Sequence, residues 1–196
     1  MKRFNVLLLI IAFTGIVAQA QNKSELFFTG LAERSASVKS FSGDFLQKKK
    51  IRLTDREMIS KGTVRYDKGS AICFDYLSPR KMSVVVGKND LKIITPEKTT
   101  TYDLSAQKEL SALVAVMNDC LAGNVKGLSK NCKVEYMEEN SAHVVNLYPL
   151  PGNTSYPYES IVLLFDTTDY SIKEIILNER SKDITSYQFL NLKLHE

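Results

Sequence analysis

Tryptophan is absent from the sequence, histidine occurs only twice, and the three cysteines form no Cys-x-x-Cys pair. Two histidines without paired cysteines leave too few soft ligands for a zinc site, so no metal and no cofactor is expected. Gly-x-Ser-x-Gly elbows, glycine-rich phosphate loops and His-Glu-x-x-His are all missing. Only His143 and His195 can act as bases near neutral pH. His143 alternates with valines in a strand pattern, and His195 is the penultimate residue, where fraying is expected. An enzyme is therefore not expected. A secreted hydrolase would require Asp44, Asp75 and His143 to converge in one cleft.

Charge of one sign is lacking too. Without Lys2 and Arg3, the 26 basic residues fall to 24 against 22 acidic ones, which excludes the strongly basic profile of a nucleic-acid binder. Lys48-Lys49-Lys50 and Arg52 make a local basic run that reads as a solvated strand end. No apolar run reaches the roughly 20 residues of a membrane-spanning helix.

What is present begins with a three-part export signal. Met1-Lys2-Arg3 is cationic, Phe4 to Val17 is apolar apart from Asn5, Thr14 and Gly15, and Ala18-Gln19-Ala20 supplies small residues for cleavage. Residues 1–20 are expected to be removed, leaving 21–196 as one domain. No cysteine follows the cleavage site, so no lipid anchor on the chain itself is expected. The exported part holds Cys73, Cys120 and Cys132. An oxidising compartment permits a Cys120–Cys132 bridge across the turn-prone Gly123–Gly127 stretch. The alternative is three small buried side chains.

Ser24 can cap a first helix with Phe27, Phe28, Leu31, Ser35 and Val38 on one side. Phe41 to Gln47 then alternates as a strand. Further strands are expected at Met58–Asp67, Ala71–Leu77, Met82–Gly87, Leu91–Thr95 and Thr99–Tyr102, separated by turn-forming residues. Leu110, Leu113, Val114, Met117 and Leu121 recur at helical spacing within 105–121, and Gly123 stops that helix. Strands resume at Cys132–Glu138, Ala142–Tyr148, Glu159–Phe165, Ser171–Asn178 and Asp183–Leu192. The result is a mainly β meander of about eleven strands with helices at its start and middle. Ile161–Phe165 is apolar on both faces, which suits a lined cavity or a thick core.

Ser40-Phe41, Phe45-Leu46-Gln47, Gly62 with Val64, the aromatic strand Phe74-Asp75-Tyr76 and the turn Ser78-Pro79 occur in that order. In this arrangement the chain resembles the outer-membrane lipoprotein carrier proteins, the LolA family. The resemblance implies an incomplete antiparallel β-barrel of about eleven strands, with an α-helical lid over a hydrophobic cavity. It implies a monomeric periplasmic carrier that moves the acyl chains of lipoproteins from the inner to the outer membrane. Its partners would be acylated lipoproteins, an inner-membrane ATP-driven lipoprotein-releasing transporter and an outer-membrane acceptor. The same fold also suits a carrier of another lipid or glycolipid, or an envelope-stress sensor of lipoproteins.

By the same resemblance, Phe45, Ile72, Phe74 and Tyr76 would line the cavity, and Leu113, Val114 and Met117 would form the apolar face of the lid. The family's turn before the aromatic strand commonly carries Arg-Pro or Lys-Pro, and its arginine latches the lid. Here it is Lys68-Gly69, so Lys68 is the candidate latch, with the charge kept and the five-donor fork lost.

Overall fold

The computed structural model describes residues 23–107, 111, 114, 115, 118, 119, 124, 127, 129–152 and 157–196. Residues 1–20, expected as the export signal, and Leu113, Met117 and Cys120 lie outside them.

Eleven strands form one antiparallel sheet: β1 (Ser40–Ile51), β2 (Arg56–Asp67), β3 (Ile72–Ser78), β4 (Met82–Val86), β5 (Asp90–Ile94), β6 (Thr99–Asp103), β7 (Cys132–Glu139), β8 (Ala142–Pro149), β9 (Tyr158–Asp166), β10 (Ile172–Glu179) and β11 (Ile184–His195). Their order is β6-β5-β4-β3-β2-β1-β11-β10-β9-β8-β7. Two meanders thus meet where the first strand pairs with the last, and β6 and β7 are unpaired edges, so the sheet is not closed. The segment between β6 and β7 must cross from one edge to the other. It begins with a 3-10 turn, Leu104–Ala106, capped by the Asp103 carboxylate. Residues 111, 114, 115, 118 and 119 within it are helical, and Val114 is buried. Val114 thus joins this stretch to the core.

Antiparallel order sorts the turns into two ends. The β2–β3, β4–β5, β7–β8 and β9–β10 turns lie at the near end, where the chain enters β1. The β1–β2, β3–β4, β5–β6 and β10–β11 turns lie at the far end. A helix over 23–37, α1, covers the near end. Lys23 is already helical, so Ser24 lies inside the first turn instead of capping it. Of the expected apolar face, Phe27 and Leu31 are each 2% exposed, and burying such a side chain contributes about 1.5–3 kcal/mol. Phe27 stacks on Tyr136 at 4.9 Å and touches the rings of His143, Phe165 and Tyr170. Arg34 pairs with Glu196 at the other end of α1.

One face of the sheet holds the core. Phe45 pairs with Phe189 on one side and Gly62 on the other, and Gly62 pairs with Tyr76, so these four positions form one row across four strands. In β9, Ile161, Leu163 and Phe165 are buried, while Val162 and Leu164 on the other face are only half-buried. The doubly apolar strand thus contributes to a thick core with a partly wetted back. β1 extends four residues past the expected strand end, through Lys48-Lys49-Lys50 to Ile51. Its partners on both sides, Glu57–Ile59 and Ile184–Ser186, continue the ladder.

Candidate functional site

The motif residues converge. Alternation along β3 puts Ile72, Phe74 and Tyr76 on one face, and all three are buried, with Cys73 and Asp75 half-buried on the opposite face. Phe45 stands between them and β11: its ring meets Phe74 at 5.4 Å and 83° and Tyr76 at 4.9 Å and 79°. These edge-to-face contacts are the geometry that ring quadrupoles favour. Val114, from the crossover, is buried in the same cluster. Hence Phe45, Ile72, Phe74, Tyr76 and Val114 share one apolar body. Its counterparts Leu113 and Met117 lie outside the described residues.

Gly62 explains how Phe45 fits. A Cβ at this position would stand 2.1 Å from the Asp75 carbonyl oxygen and 2.7 Å from Cε1 of Phe45. The missing side chain is what lets the Phe45 ring lie over β2. Two positions on, Val64 is fully buried and continues the same face.

A polar seam borders this apolar face, and sequence reasoning missed it. Gln47 Nε2 donates to the Tyr187 hydroxyl at 2.9 Å, and Tyr187 also hydrogen-bonds Tyr76. Burial holds the Tyr187 phenol well above its usual range, with Tyr76, Tyr158 and Glu179 adding to the effect. One strand-step further, Lys49 pairs with Glu179 at 3.0 Å, and the Thr185 hydroxyl donates to the same carboxylate at 3.0 Å. Gln47 and Tyr187 are 140 residues apart. Only the β1–β11 pairing joins them, so local spacing held no signal.

Lys68 occupies the β2–β3 turn, and its ammonium donates to the carbonyls of Ser35 at 3.0 Å and Ala36 at 3.1 Å. These are the last turn of α1, where carbonyls lack helical partners and the helix dipole is negative. The neighbouring Gly69 adopts φ +78° with nothing within 4 Å of a would-be Cβ. Proline cannot reach that φ, so the turn differs from the Arg-Pro form by backbone as well as by side chain.

Groups suited to hydrolysis stay apart. Asp44 and Asp75 both pair with Thr63, from opposite sides, so they share the outer face of the sheet. Asp44 accepts from Asn191 at 2.9 Å; Asp75 accepts from Arg65 at 3.2 Å and Ser83 at 2.5 Å. His143 is on β8, on the opposite face, within 2.9 Å of the Tyr136 hydroxyl and against Phe27. Asp44, Asp75 and His143 therefore form no common cleft. Among the described residues no cluster of His, Cys, Asp and Glu could hold a metal. Cys73 is a half-buried and Cys132 a buried free thiol, and burial pushes the pKa of both up, away from reactivity. No described helix is long and apolar enough to cross a membrane.

Comparison with known proteins bears on this geometry. No curated protein matches the chain. An uncharacterised conserved protein of Thermus thermophilus superposes with TM-score 0.50 at 8% identity, over 88% of each chain. A LolA superfamily protein of Nitrosomonas europaea matches at TM-score 0.43 and 11% identity, over 86% of this chain and 93% of that one. The MucA/MucB complex of Pseudomonas aeruginosa gives TM-score 0.45 and 15% identity, over 87% and 56%. At such identities the Thermus likeness is one of fold alone. The model of the outer membrane lipoprotein carrier protein LolA matches residues 36–196, from the end of α1 through the last strand. The chain belongs to the LolA family.

Proposed function

We propose that the protein is a periplasmic carrier of lipoproteins, holding their acyl chains on the face lined by Phe45, Ile72, Phe74, Tyr76 and Val114. The observation that carries this reading is the single apolar body these residues form in a sheet left open between β6 and β7. In this reading Leu113 and Met117 complete the lid from the crossover, and Lys68 is the latch that holds α1 in place. Cargo arrives from an inner-membrane ATP-driven transporter and leaves for an outer-membrane acceptor. Cys132 carries a free thiol in this structure, so a Cys120–Cys132 bridge would need oxidation of that thiol, and intact mass with and without reductant reads it.

The physical need is plain. Each methylene moved from membrane to water costs about 0.8 kcal/mol, so three acyl chains of roughly 15 methylenes face ~36 kcal/mol. Noncovalent affinity saturates near roughly −18 to −21 kcal/mol. A carrier therefore offsets part of the cost, while an energy-driven extractor supplies the rest. An opening held by side chains and helices, unlike a sealed barrel, also permits release.

The test is displacement of a hydrophobic fluorescent probe from the purified protein by triacylated lipopeptide, free fatty acid or phospholipid. Preferential displacement by lipopeptide, lost in Phe74→Glu, is the expected result. Displacement by free lipid alone would make the protein a carrier of another lipid. No probe binding by a folded sample would sink the reading.

A further inference from the structure

The far end of the sheet carries a protruding tip that cargo binding does not use. Lys61 pairs with Ser78, the last residue of β3, and the five β2 residues Arg56–Ser60 beyond it are bonded only to β1. At about 3.4 Å per residue they overhang β3 by roughly 17 Å. Leu53, in the turn, is 94% exposed, and Met58, Ile59 and the nearby Leu77 are 54%, 46% and 60% exposed. One exposed leucine needs no explanation. Four large apolar side chains on one projecting corner do.

Cations surround them. Lys48, Arg52, Arg56 and Lys61 on the hairpin, with Arg80 and Lys81 in the adjoining β3–β4 turn, have side chains without an ionic partner among the described residues. Lys50, by contrast, pairs with Asp55, and Lys49 with Glu179. The near end lacks such a cluster: Glu138 pairs with Lys23, Asp90 with Lys92 and Asp166 with Lys173, and Lys68 and Lys88 stand in its turns along with Asp67 and Asp169. Between Lys48 and Lys61, Asp55 is taken by Lys50 and Glu57 is the one other acid, so cations without an ionic partner outnumber acids at the end that overhangs β3.

Single-stranded nucleic acid is gripped by cations together with aromatic platforms, and the hairpin tip offers no aromatic ring between Lys48 and Lys61. Phosphate binding alone also gives no role to Leu53, Met58 and Ile59. Cations interleaved with a few aliphatic side chains match the boundary of an anionic bilayer, where lysine and arginine meet lipid phosphates and apolar side chains enter the acyl region. We propose that the β1–β2 tip docks this protein reversibly onto anionic phospholipid bilayers. The docked membrane then faces the far end of the sheet, towards which Gln47, Tyr187 and Lys49 lie, and not α1. The purpose of docking rests on the carrier reading; the contact itself does not, and its test contains no cargo.

The chain has no tryptophan, so Leu53→Trp installs a sole reporter at a site exposed enough to accept it. The full mature protein is titrated with phosphatidylcholine vesicles, with and without one-third phosphatidylglycerol. The expected result is a blue shift, and quenching by brominated acyl chains, with the anionic vesicles only and lost at high salt. Adding Arg52→Gln and Arg56→Gln should weaken the apparent affinity roughly 30-fold, about fivefold per cation. Lys88→Gln, in the β4–β5 turn at the near end, should leave it unchanged. Three results would each overturn the proposal: equal response to neutral vesicles, sedimentation with vesicles without an emission change, or an equal loss from Lys88→Gln. Tighter binding to an oligonucleotide than to anionic vesicles would overturn it as well, making the tip a general anion patch. Failure of lipopeptide displacement, with docking intact, would remove the carrier reading and leave this contact standing.

Discussion

The ammonium of Lys68 sits 3.0 Å from the carbonyl oxygen of Ser35, so a turn of the sheet caps the C-terminus of the helix that closes its near end. A cation there contributes about 0.3–1 kcal/mol when solvent-exposed, as this side chain is. Lys68→Met should lower stability by roughly 0.5–1 kcal/mol in urea titrations, and should speed amide exchange in the last turn of α1 first. Lys68→Arg should restore both. Unchanged exchange in Lys68→Met would show that the contact holds nothing.

Gly62→Ala should be the most damaging small change in the protein. The added methyl would meet the Asp75 carbonyl oxygen at 2.1 Å, and that atom is backbone in a paired strand. Strand separation or displacement of Phe45 must follow, at about 3 kcal/mol. Gly69→Ala, in open space but at φ +78°, should cost only about 1 kcal/mol. Thermal melts of the two variants side by side check the order.

His143 makes stability depend on pH. Burial lowers its pKa below the ordinary 6.5, against the opposing pull of the Glu138 and Asp166 carboxylates. Asp166, held at about 2 by Lys173 and the Thr168 amide, stays ionised throughout the relevant window, and Glu138 pairs with Lys23. The rings of Tyr136 and Tyr170 also face the imidazole. The native imidazole thus takes up a proton less readily than the unfolded one. Its contribution is complete above about pH 6.5 and is lost as pH falls from there through the folded pKa. Urea midpoints measured from about pH 7.5 to 5.5 should fall more in wild type than in His143→Gln. Equal slopes would mean that the ring ionises in the fold as easily as out of it.

The strands were legible because alternation and turn residues are local. Nine of the expected strands lie within two residues of those observed; β11 runs three residues past the expected end at Leu192, and β1 was cut short at Gln47. There Lys48-Lys49-Lys50 looks like a solvated end, yet backbone pairing to β2 and β11 carries the ladder on through it. The apolar row of β3 was legible for the same local reason as the strands. What stayed hidden is non-local. Tyr187 meets Gln47 and Tyr76 only because the first and last strands pair, and the projecting tip exists only because β3 stops at Ser78. The glycine of the motif was visible; its reason, the Phe45 ring lying over it, required the register.

That hidden seam can be tested without disturbing the apolar body. Tyr187→Phe removes the oxygen that accepts from Gln47 Nε2, leaving a half-buried amide unsatisfied at a cost of about 1–2 kcal/mol. Removing both partners of such a pair is far less harmful than removing one. The Tyr76 hydroxyl loses Tyr187 in both variants, so the double variant Gln47→Leu/Tyr187→Phe should regain only the part due to the Gln47 amide, giving a coupling of about 1 kcal/mol in a double-mutant cycle. The two variants also separate roles. If the seam only holds β1 to β11, probe affinity should track stability across the cycle. If it fixes the polar end of a bound acyl group, the double variant should fold well, still bind the hydrophobic probe, and lose its preference for lipopeptide over free fatty acid. The second outcome is the expected one, because Tyr187 and Tyr76 are the polar groups directly against Phe45 and Phe74.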